Sequence, residues 1–253
     1  MPIKISVLQM HSHKLDTVAN KNTLLGLIDK AASETPDIIV LPEMWPTGFY
    51  PAQAAEFAAE SAKWRRLLSD LAQKYRCNIV GGSFVTERNG HIYNTCPCFN
   101  RQGQSVAEYD KMHLFSPAAE NNYFAHGEKI CVFELDGVSC GVAVCYDLRF
   151  PELMREMAAK GAKIIFLPAQ WPRLRLDHWR ILNQARATEN QIFMVAANGV
   201  GKHTAGHSLI VSPWGNILTE GDDSEGIYTA EINLTEIADV REKINVWADR
   251  RIA

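Results

Sequence analysis

The chain has 253 residues, of which 47% are hydrophobic and 22% charged, and its formal net charge is -3. A chain of this length buries roughly 70 to 75% of its unfolded surface, so it can form a complete core unaided. The lack of a basic stripe argues against nucleic acid or an anionic membrane surface as a partner, and no apolar run approaches the roughly 20 residues needed to span a bilayer.

Short β-rich runs alternate with amphipathic helical stretches in the first part of the chain. Asp16 has the residue type of a helix N-cap, and apolar residues at helical spacing follow it. A second helix is predicted around residues 64–76. Gln102-Gly103 and Asp136-Gly137 supply the turns of two predicted hairpins. The strands predicted here are 3–8, 38–41, 78–80, 93–100, 106–109, 130–135 and 139–144.

The second part of the chain continues the same alternation. Pro151 suits the first position of a helix, and Gly161 is a natural C-terminal stop. A longer helix is predicted from about residue 176 to 189, and a short one at 234–241 precedes an extended arm. Further strands are predicted at 164–167, 193–197, 208–212 and 216–219.

Strands joined both by helices and by hairpins predict an α/β fold in which helix, sheet, sheet and helix layers stack, an α-β-β-α sandwich with mixed sheets. No Ser, Gly or Pro run and no block of like charge forms a linker, so we expect a single domain over residues 1–253.

The six cysteines lie mostly in apolar strand-like runs, which is typical of buried thiols in a cytoplasmic protein. Cys96-Pro-Cys98 faces no second pair with zinc-like spacing, and His203 and His207 lie in a glycine-containing polar stretch. Neither a Gly-x-Gly-x-x-Gly nor a Walker motif is present. We therefore expect no metal and no nucleotide cofactor.

Cys145 stands where an apolar strand runs into a sharp turn and a helix that Pro151 begins. A nucleophile belongs at such a junction, because the strand fixes the side chain and the backbone amide of Tyr146 can point at a developing oxyanion. The positive end of the helix would also favour thiolate over thiol. The alternative is that Cys145 is simply the last buried thiol of a strand.

Two other polar residues also follow predicted strands. Glu43 comes just after an apolar strand beside Trp45 and Phe49, where desolvation suits a general base; the alternative is a surface glutamate. Lys111 has apolar and aromatic neighbours, although lone lysines are usually solvated. Each of these signals alone is weak.

The three motifs Leu41-Pro-Glu, Asp110-Lys-x-His-Leu and Cys145-Tyr-Asp-x-Arg-Phe-Pro-Glu together resemble the nitrilase superfamily of carbon-nitrogen hydrolases. The resemblance extends over nearly the whole chain. It implies an α-β-β-α sandwich, a cofactor-free Glu43-Lys111-Cys145 triad, and a homodimer or larger homo-oligomer. The family's second glutamate maps best to Glu120, with the nearby residues 128 and 134 as alternatives.

The Cys-Tyr-Asp-x-Arg-Phe pattern resembles the amidase branch that includes the ω-amidases, which act on 2-oxoglutaramate and 2-oxosuccinamate. In that branch Arg149 would hold the substrate carboxylate, a task that suits a planar guanidinium. The alternative is an ion pair of Arg149 with Glu152 or Glu189. Trp171 and Phe49 are expected to line the substrate pocket, with the arginines at 173 and 175 behind Trp171.

Other functions remain open at this point. The same triad would serve an N-carbamoyl or aliphatic amidase, and a nitrilase ranks behind these. A binding or regulatory protein that has lost turnover is a further alternative. A Cys-His hydrolase would instead use His113 or His178.

Overall fold

Two β-sheets form the centre of the computed structural model, which describes residues 2–252, the side chains of residues 54 and 55 apart. Met1 and Ala253, the ends of the predicted domain, lie outside the described residues. The strands are β1 Ile3–Gln9, β2 Ile38–Val40, β3 Asn78–Val80, β4 Phe84–Arg88, β5 His91–Phe99, β6 Ser105–Asp110, β7 Val132–Leu135, β8 Val138–Val142, β9 Ile164–Ala169, β10 Phe193–Asn198, β11 Leu209–Val211, β12 Ile217–Glu220 and β13 Gly226–Ile232. The α-helices are α1 Thr17–Ser33, α2 Ser61–Tyr75, α3 Pro151–Ala159, α4 Leu176–Asn190, α5 Thr235–Lys243 and α6 Val246–Asp249.

Both sheets are mixed. The first has the order β13-β1-β2-β3-β5-β4, with β6 also paired to β5. Its central strands β1, β2 and β3 are parallel, and the outer pairs are antiparallel. The second has the order β12-β11-β10-β9-β8-β7, with β8, β9 and β10 parallel. Parallel strands in each centre carry their carboxyl ends to one edge, which is where polar residues can meet.

The side chains of β1 show how the layers stack. Ile5 and Val7 point into a core shared with the second sheet, whereas Leu8 packs in a different cluster with α1 and α2. This alternation follows from the two-residue period of a strand. On the outer face of the second sheet, Met157 of α3 and Trp179 of α4 are buried. The layers are therefore helix, sheet, sheet and helix, which confirms the predicted α-β-β-α sandwich.

Most predicted elements occur within two residues of their predicted bounds. Asp16 caps α1 through its side chain, which accepts a hydrogen bond from the Ala19 amide at 2.9 Å. The sequence reading missed β4 and β13. β13 pairs antiparallel with β1 along its whole length, from Ile3 opposite Ile232 to Gln9 opposite Gly226, so long-range pairing determines it more than local pattern does. The predicted C-terminal arm contains the short helix α6.

Candidate active site

The chain positions of Glu43, Lys111 and Cys145 relative to the strands are as predicted. Glu43 lies three residues after β2, and Lys111 directly follows β6. Cys145 lies three residues after β8 and begins a 3-10 helix that ends at Arg149. The side chains of Glu43 and Lys111 are fully buried, and Cys145 is 8% exposed. The alternatives of a surface glutamate and a solvated lysine are therefore excluded.

Lys111 lies between two carboxylates. Its Nζ is 2.8 Å from Oε1 of Glu43 and 2.9 Å from Oε2 of Glu120. Burial on its own lowers the pKa of Lys111, but the charges of Glu43 and Glu120 outweigh it and the pKa is raised above its ordinary value. The group is thus an ammonium. Its ring neighbour is Phe49, with Nζ 5.2 Å from the ring centroid.

Glu120 is the second glutamate that the fold brings to Lys111, beside Glu43. It is fully buried at the start of a 3-10 helix, and its Oε2 also accepts the Phe115 amide at 2.6 Å. The alternatives Glu128 and Glu134 are both exposed. The structure therefore places Glu120, and neither alternative, beside the lysine.

Two residues that the sequence reading missed hold these carboxylates. Asn94 of β5 donates through Nδ2 to Glu43 at 2.8 Å and to Glu120 at 3.1 Å. Gln170 donates its backbone amide to Oε2 of Glu43 at 2.9 Å, and its Nε2 donates to the Glu43 carbonyl at 2.8 Å. An asparagine inside a buried strand is the signal in the sequence, because asparagine is depleted in strands.

The backbone of Cys145 is in the left-handed region, with φ 49°. For a residue with a Cβ this conformation costs roughly 1 to 2 kcal/mol, and such strain clusters at functional sites. Burial and the negative charge of Glu43 raise the pKa of the Cys145 thiol well above its ordinary value, and Lys111 only partly opposes them. The expected preference for thiolate is therefore wrong, because desolvation exceeds the favourable field at the helix start.

Asp147 connects the segment of Lys111 with the turn of Cys145. It is fully buried, and its Oδ2 accepts from the Tyr109 hydroxyl at 2.7 Å and from the Val144 amide at 2.8 Å. Its Oδ1 accepts the His113 amide at 2.9 Å and lies 2.7 Å from Nδ1 of the same histidine. Burial and the Asp147 charge raise the pKa of Tyr109 well above its usual range, so the phenol remains a donor.

A cavity of about 460 Å³ opens onto Cys145 and Glu43. The expected residues Phe49, Arg149 and Trp171 line it, as does the side chain of Tyr146. The cavity is also lined by cationic side chains, namely those of Lys14, Arg175 and Lys202. Since Glu43 is the one acidic side chain that lines the cavity among the described residues, the cavity suits an anionic or polar small molecule.

Arg149 stacks over Trp171, with its guanidinium carbon 4.7 Å from the ring centroid. Among residues 2–252 no carboxylate lies within salt-bridge distance of it; Glu189, one of the suggested partners, pairs with Arg186 at 3.0 Å. Its polar neighbour is Nδ1 of His178, at 3.3 and 3.4 Å. The alternative of an ion pair with Glu152 or Glu189 is therefore not what the described structure shows.

The histidines of the alternative Cys-His mechanism face other partners. Nδ1 of His113 lies against Asp147, and its ring stacks on Phe150 with centroids 3.7 Å apart. His178 contacts Arg149. Neither histidine lines the cavity that reaches Cys145. The geometry thus supports Glu43 as the partner of the thiol.

The described residues contain neither a metal-ligand cluster nor a membrane-spanning helix. Between residues 2 and 252, no group of three or more His, Cys, Asp or Glu side chains is arranged to hold a metal ion. Over the same residues, no helix combines the length and apolar character required to cross a membrane.

Comparison with known proteins identifies the class. Residues 4–242 match the family model for the carbon-nitrogen hydrolases, so the chain belongs to that family and is a hydrolase of carbon-nitrogen bonds. Among curated proteins, it is 45% identical over 224 residues to a 2-oxoglutaramate amidase of Bacillus subtilis, covering 87% of this chain and 86% of that protein. It is also 32% identical over 267 residues to an omega-amidase of Danio rerio, covering 98% and 94%.

Solved structures agree with this assignment. A Saccharomyces cerevisiae member of the nitrilase superfamily superposes with a TM-score of 0.90 at 29% identity, over 96% of this chain and 94% of that one. A mutant of an amidase from Nesterenkonia sp. AN1, in which acrylamide is added to the active-site cysteine, gives a TM-score of 0.86 at 26% identity, over 96% and 98% of the two chains.

Proposed function

We propose that this enzyme is an ω-amidase, which hydrolyses the terminal amide of 2-oxoglutaramate or 2-oxosuccinamate to a 2-oxo dicarboxylate and ammonia. The observation that carries the proposal is one cavity that reaches Cys145 and Glu43 and also contains Arg149, a guanidinium without a carboxylate partner in the described residues. The similarity to a 2-oxoglutaramate amidase and to omega-amidases supports the choice of substrate.

The first half of the reaction makes a thioester. Glu43 takes the thiol proton of Cys145 as sulfur attacks the amide carbon, because the raised pKa of the thiol requires a base at that moment. Oε2 of Glu43 accepts one hydrogen bond, from Gln170, and so retains a lone pair for this proton.

The oxyanion of the tetrahedral intermediate is stabilised by two donors. The ammonium of Lys111 donates to Oε1 of Glu43 at 2.8 Å and to both oxygens of Glu120, at 2.9 and 3.2 Å, and the N–H group in the longest of these contacts turns to the substrate oxygen as its charge develops. The second donor is the backbone amide of Tyr146, which lies in the first turn of the 3-10 helix, where amides have no partner further back in the helix.

Collapse of the intermediate breaks the carbon-nitrogen bond and releases ammonia, with the proton returned by Glu43. Water then attacks the thioester as Glu43 accepts a proton from it, and the carbon-sulfur bond breaks. Glu43 gives that proton to the Cys145 sulfur, which restores the thiol and leaves the free carboxylic acid. One carboxylate thus serves as base, acid, base and acid again.

At the other end of the substrate, Arg149 binds the carboxylate. The guanidinium presents paired N–H donors that match a carboxylate, and stacking on Trp171 holds its plane. Phe49 and Trp171 supply apolar walls along the chain of the substrate. An amide that lacks the distal carboxylate would leave this guanidinium unpaired in the cavity.

Ammonia release from four substrates tests the proposal, with Cys145→Ala as the blank. The substrates are 2-oxoglutaramate, glutamine, an N-carbamoyl amino acid and a simple nitrile. We expect release from 2-oxoglutaramate above all others and none in the variant. Preferred turnover of the carbamoyl compound or the nitrile would contradict the substrate and retain the catalytic residues.

We further propose that the enzyme works in the cytoplasm as a homodimer or larger homo-oligomer. All six cysteines are free thiols, which supports a reducing compartment. Exposed apolar side chains support self-association, among them Ile181 of α4, which is 63% exposed, and Leu218 of β12, which is 40% exposed. Size-exclusion chromatography with light scattering measures the assembly directly.

A further inference from the structure

Two arginines share the cavity that reaches Cys145. Arg149 lies over the ring of Trp171, and Arg175 lies over the ring of Phe115, with its guanidinium carbon 5.7 Å from the centroid. The indole Nε1 of Trp171 donates to the carbonyl of Arg175 at 2.7 Å. This hydrogen bond closes the turn between the two residues, so a single buried tryptophan contacts the guanidinium of Arg149 and holds the main chain of Arg175.

Neither arginine is neutralised by the protein. Within residues 2–252, the carboxylates at salt-bridge distance from arginine belong to other pairs, such as Arg173 with Asp223 at 2.7 Å and Arg180 with Glu220 at 2.6 Å. The acid in the cavity lining is Glu43, which is engaged by Lys111, Asn94 and Gln170.

The two guanidinium groups influence each other electrostatically. Burial and then the positive charge of Arg175 lower the pKa of Arg149. Two like charges held beside one cavity are costly unless a ligand supplies negative or hydrogen-bond-accepting atoms. One carboxylate satisfies the paired donors of one guanidinium, which leaves the second arginine to read the neighbouring part of the ligand.

The substituent on the carbon next to the distal carboxylate distinguishes the amides that this cavity can hold. In a 2-oxo acid amide it is a keto oxygen, which accepts hydrogen bonds and carries no proton. In glutamine the same carbon bears an ammonium, which a guanidinium repels and cannot donate to. In glutaramate the carbon bears only hydrogen, so this compound measures binding without either effect.

We propose that Arg175 is a specificity-determining residue, which donates to the 2-oxo group while Arg149 holds the carboxylate, and which excludes 2-amino acid amides by charge repulsion. This inference rests on the proposed function, since it assumes that Cys145 attacks the amide at the opposite end of the substrate. The role needs no chemistry from Arg175, which acts only through binding.

Steady-state kinetics of three matched amides tests the role. We compare kcat/KM for 2-oxoglutaramate, glutaramate and glutamine in the wild type, Arg175→Gln and the control Arg173→Gln. Arg173 is two residues away, exposed, and paired with Asp223 outside the cavity. The main-chain bond from Trp171 to residue 175 survives the substitution.

In Arg175→Gln, the preference for 2-oxoglutaramate over glutamine should fall about tenfold or more, because a charge-assisted hydrogen bond and a repulsion are both lost. The kcat/KM for 2-oxoglutaramate should fall relative to that for glutaramate, and the kcat/KM for glutamine should rise relative to it. Arg175→Lys keeps the charge, so it should retain the discrimination against glutamine while losing part of the preference for the oxo group. Arg173→Gln leaves all ratios within about twofold.

Two different failures are distinguishable. A wild type that hydrolyses glutamine as well as 2-oxoglutaramate overturns both the proposed function and the role of Arg175. The role of Arg175 alone is overturned if the wild type prefers the oxo-amide but Arg175→Gln leaves the kcat/KM ratios unchanged. The same conclusion follows if Arg175→Gln lowers kcat/KM for all three substrates in parallel. Calorimetric binding of the same amides to Cys145→Ala, with and without Arg175→Gln, gives the same ratios without turnover.

Discussion

Replacing Asp147 by asparagine should weaken both the fold and the catalysis. The carboxylate accepts four hydrogen bonds, two at each oxygen, from Tyr109, Val144 and two groups of His113. Asparagine turns one oxygen into a donor, which faces two groups that were donating. Hydrogen bonds to a charged group contribute about 1.5 to 3 kcal/mol each, so the free energy of unfolding should fall by about 3 to 6 kcal/mol.

This loss is a large part of the roughly 5 to 15 kcal/mol that stabilises a typical domain. Urea denaturation followed by tryptophan fluorescence measures it, and the midpoint should fall by about 1 to 2 M. Because Asp147 ties the Cys145 turn to the segment of Lys111, kcat should also fall about 100-fold, as misplacement by about 1 Å can do. KM should change little, since Arg149 keeps its contacts with Trp171.

Asp70→Asn is the matched control, because Asp70 is exposed on α2 and makes no ion pair in the described structure. It should shift the unfolding free energy by less than about 0.5 kcal/mol and leave kcat unchanged. If Asp147→Asn behaves like Asp70→Asn in both measurements, the coupling of the two segments through Asp147 is refuted.

Three further predictions follow from the same geometry. Glu43→Gln should lower kcat about 100-fold to 10,000-fold, and an unchanged kcat would exclude Glu43 as the base. The double variant Cys145→Ala/Glu43→Gln should bind 2-oxoglutaramate as tightly as Cys145→Ala does, since Glu43 acts in the reaction and not in binding. Gly199→Ala should lower kcat about tenfold, because the added Cβ would lie 2.3 Å from Oε1 of Gln170 and would displace the side chain that holds the Glu43 carbonyl. The control Gly26→Ala should be neutral, because its Cβ meets nothing within 4 Å. Equal activity of the two variants would contradict the role of Gln170. Burial raises the pKa of Cys77 from 9.0 to about 11. The contribution of the neutral Cys77 thiol to the free energy of unfolding is therefore complete below pH 9.0 and falls by about 3 kcal/mol as the pH rises to about 11. A pH series of urea denaturation curves measures this fall, which should be absent in Cys77→Ala.

The sequence predicted the sandwich because the periodicities of strands and helices are local. β9, for example, is an apolar run with clear ends, apolar residues alternate with polar ones at the start of β1, and α3 has Pro151 at its start. β13 was missed because its identity depends on pairing with β1, more than 200 residues away along the chain. Local pattern cannot report that partner.

The proposed catalytic trio was recognisable from motif spacing, but the network around it was not. Asn94 lies in β5 of the first sheet and Gln170 directly follows β9 of the second, so both contact Glu43 only because the two sheets pack against each other. The thiol state of Cys145 was predicted wrongly, because the helix start is a local feature whereas desolvation arises from the whole fold. The same holds for the absence of a carboxylate partner at Arg149, which required the positions of Glu152 and Glu189 in space.

The central claim is that Cys145 carries the acyl group during amide hydrolysis. Rapid-quench mass spectrometry with 2-oxoglutaramate tests it most directly, with ammonia measured in the same samples. We predict a transient 2-oxoglutaryl group on the peptide that contains Cys145, formed together with the first equivalent of ammonia and absent in Cys145→Ala. A burst of ammonia with no acyl group on Cys145, or an acyl group on another residue, would contradict the account.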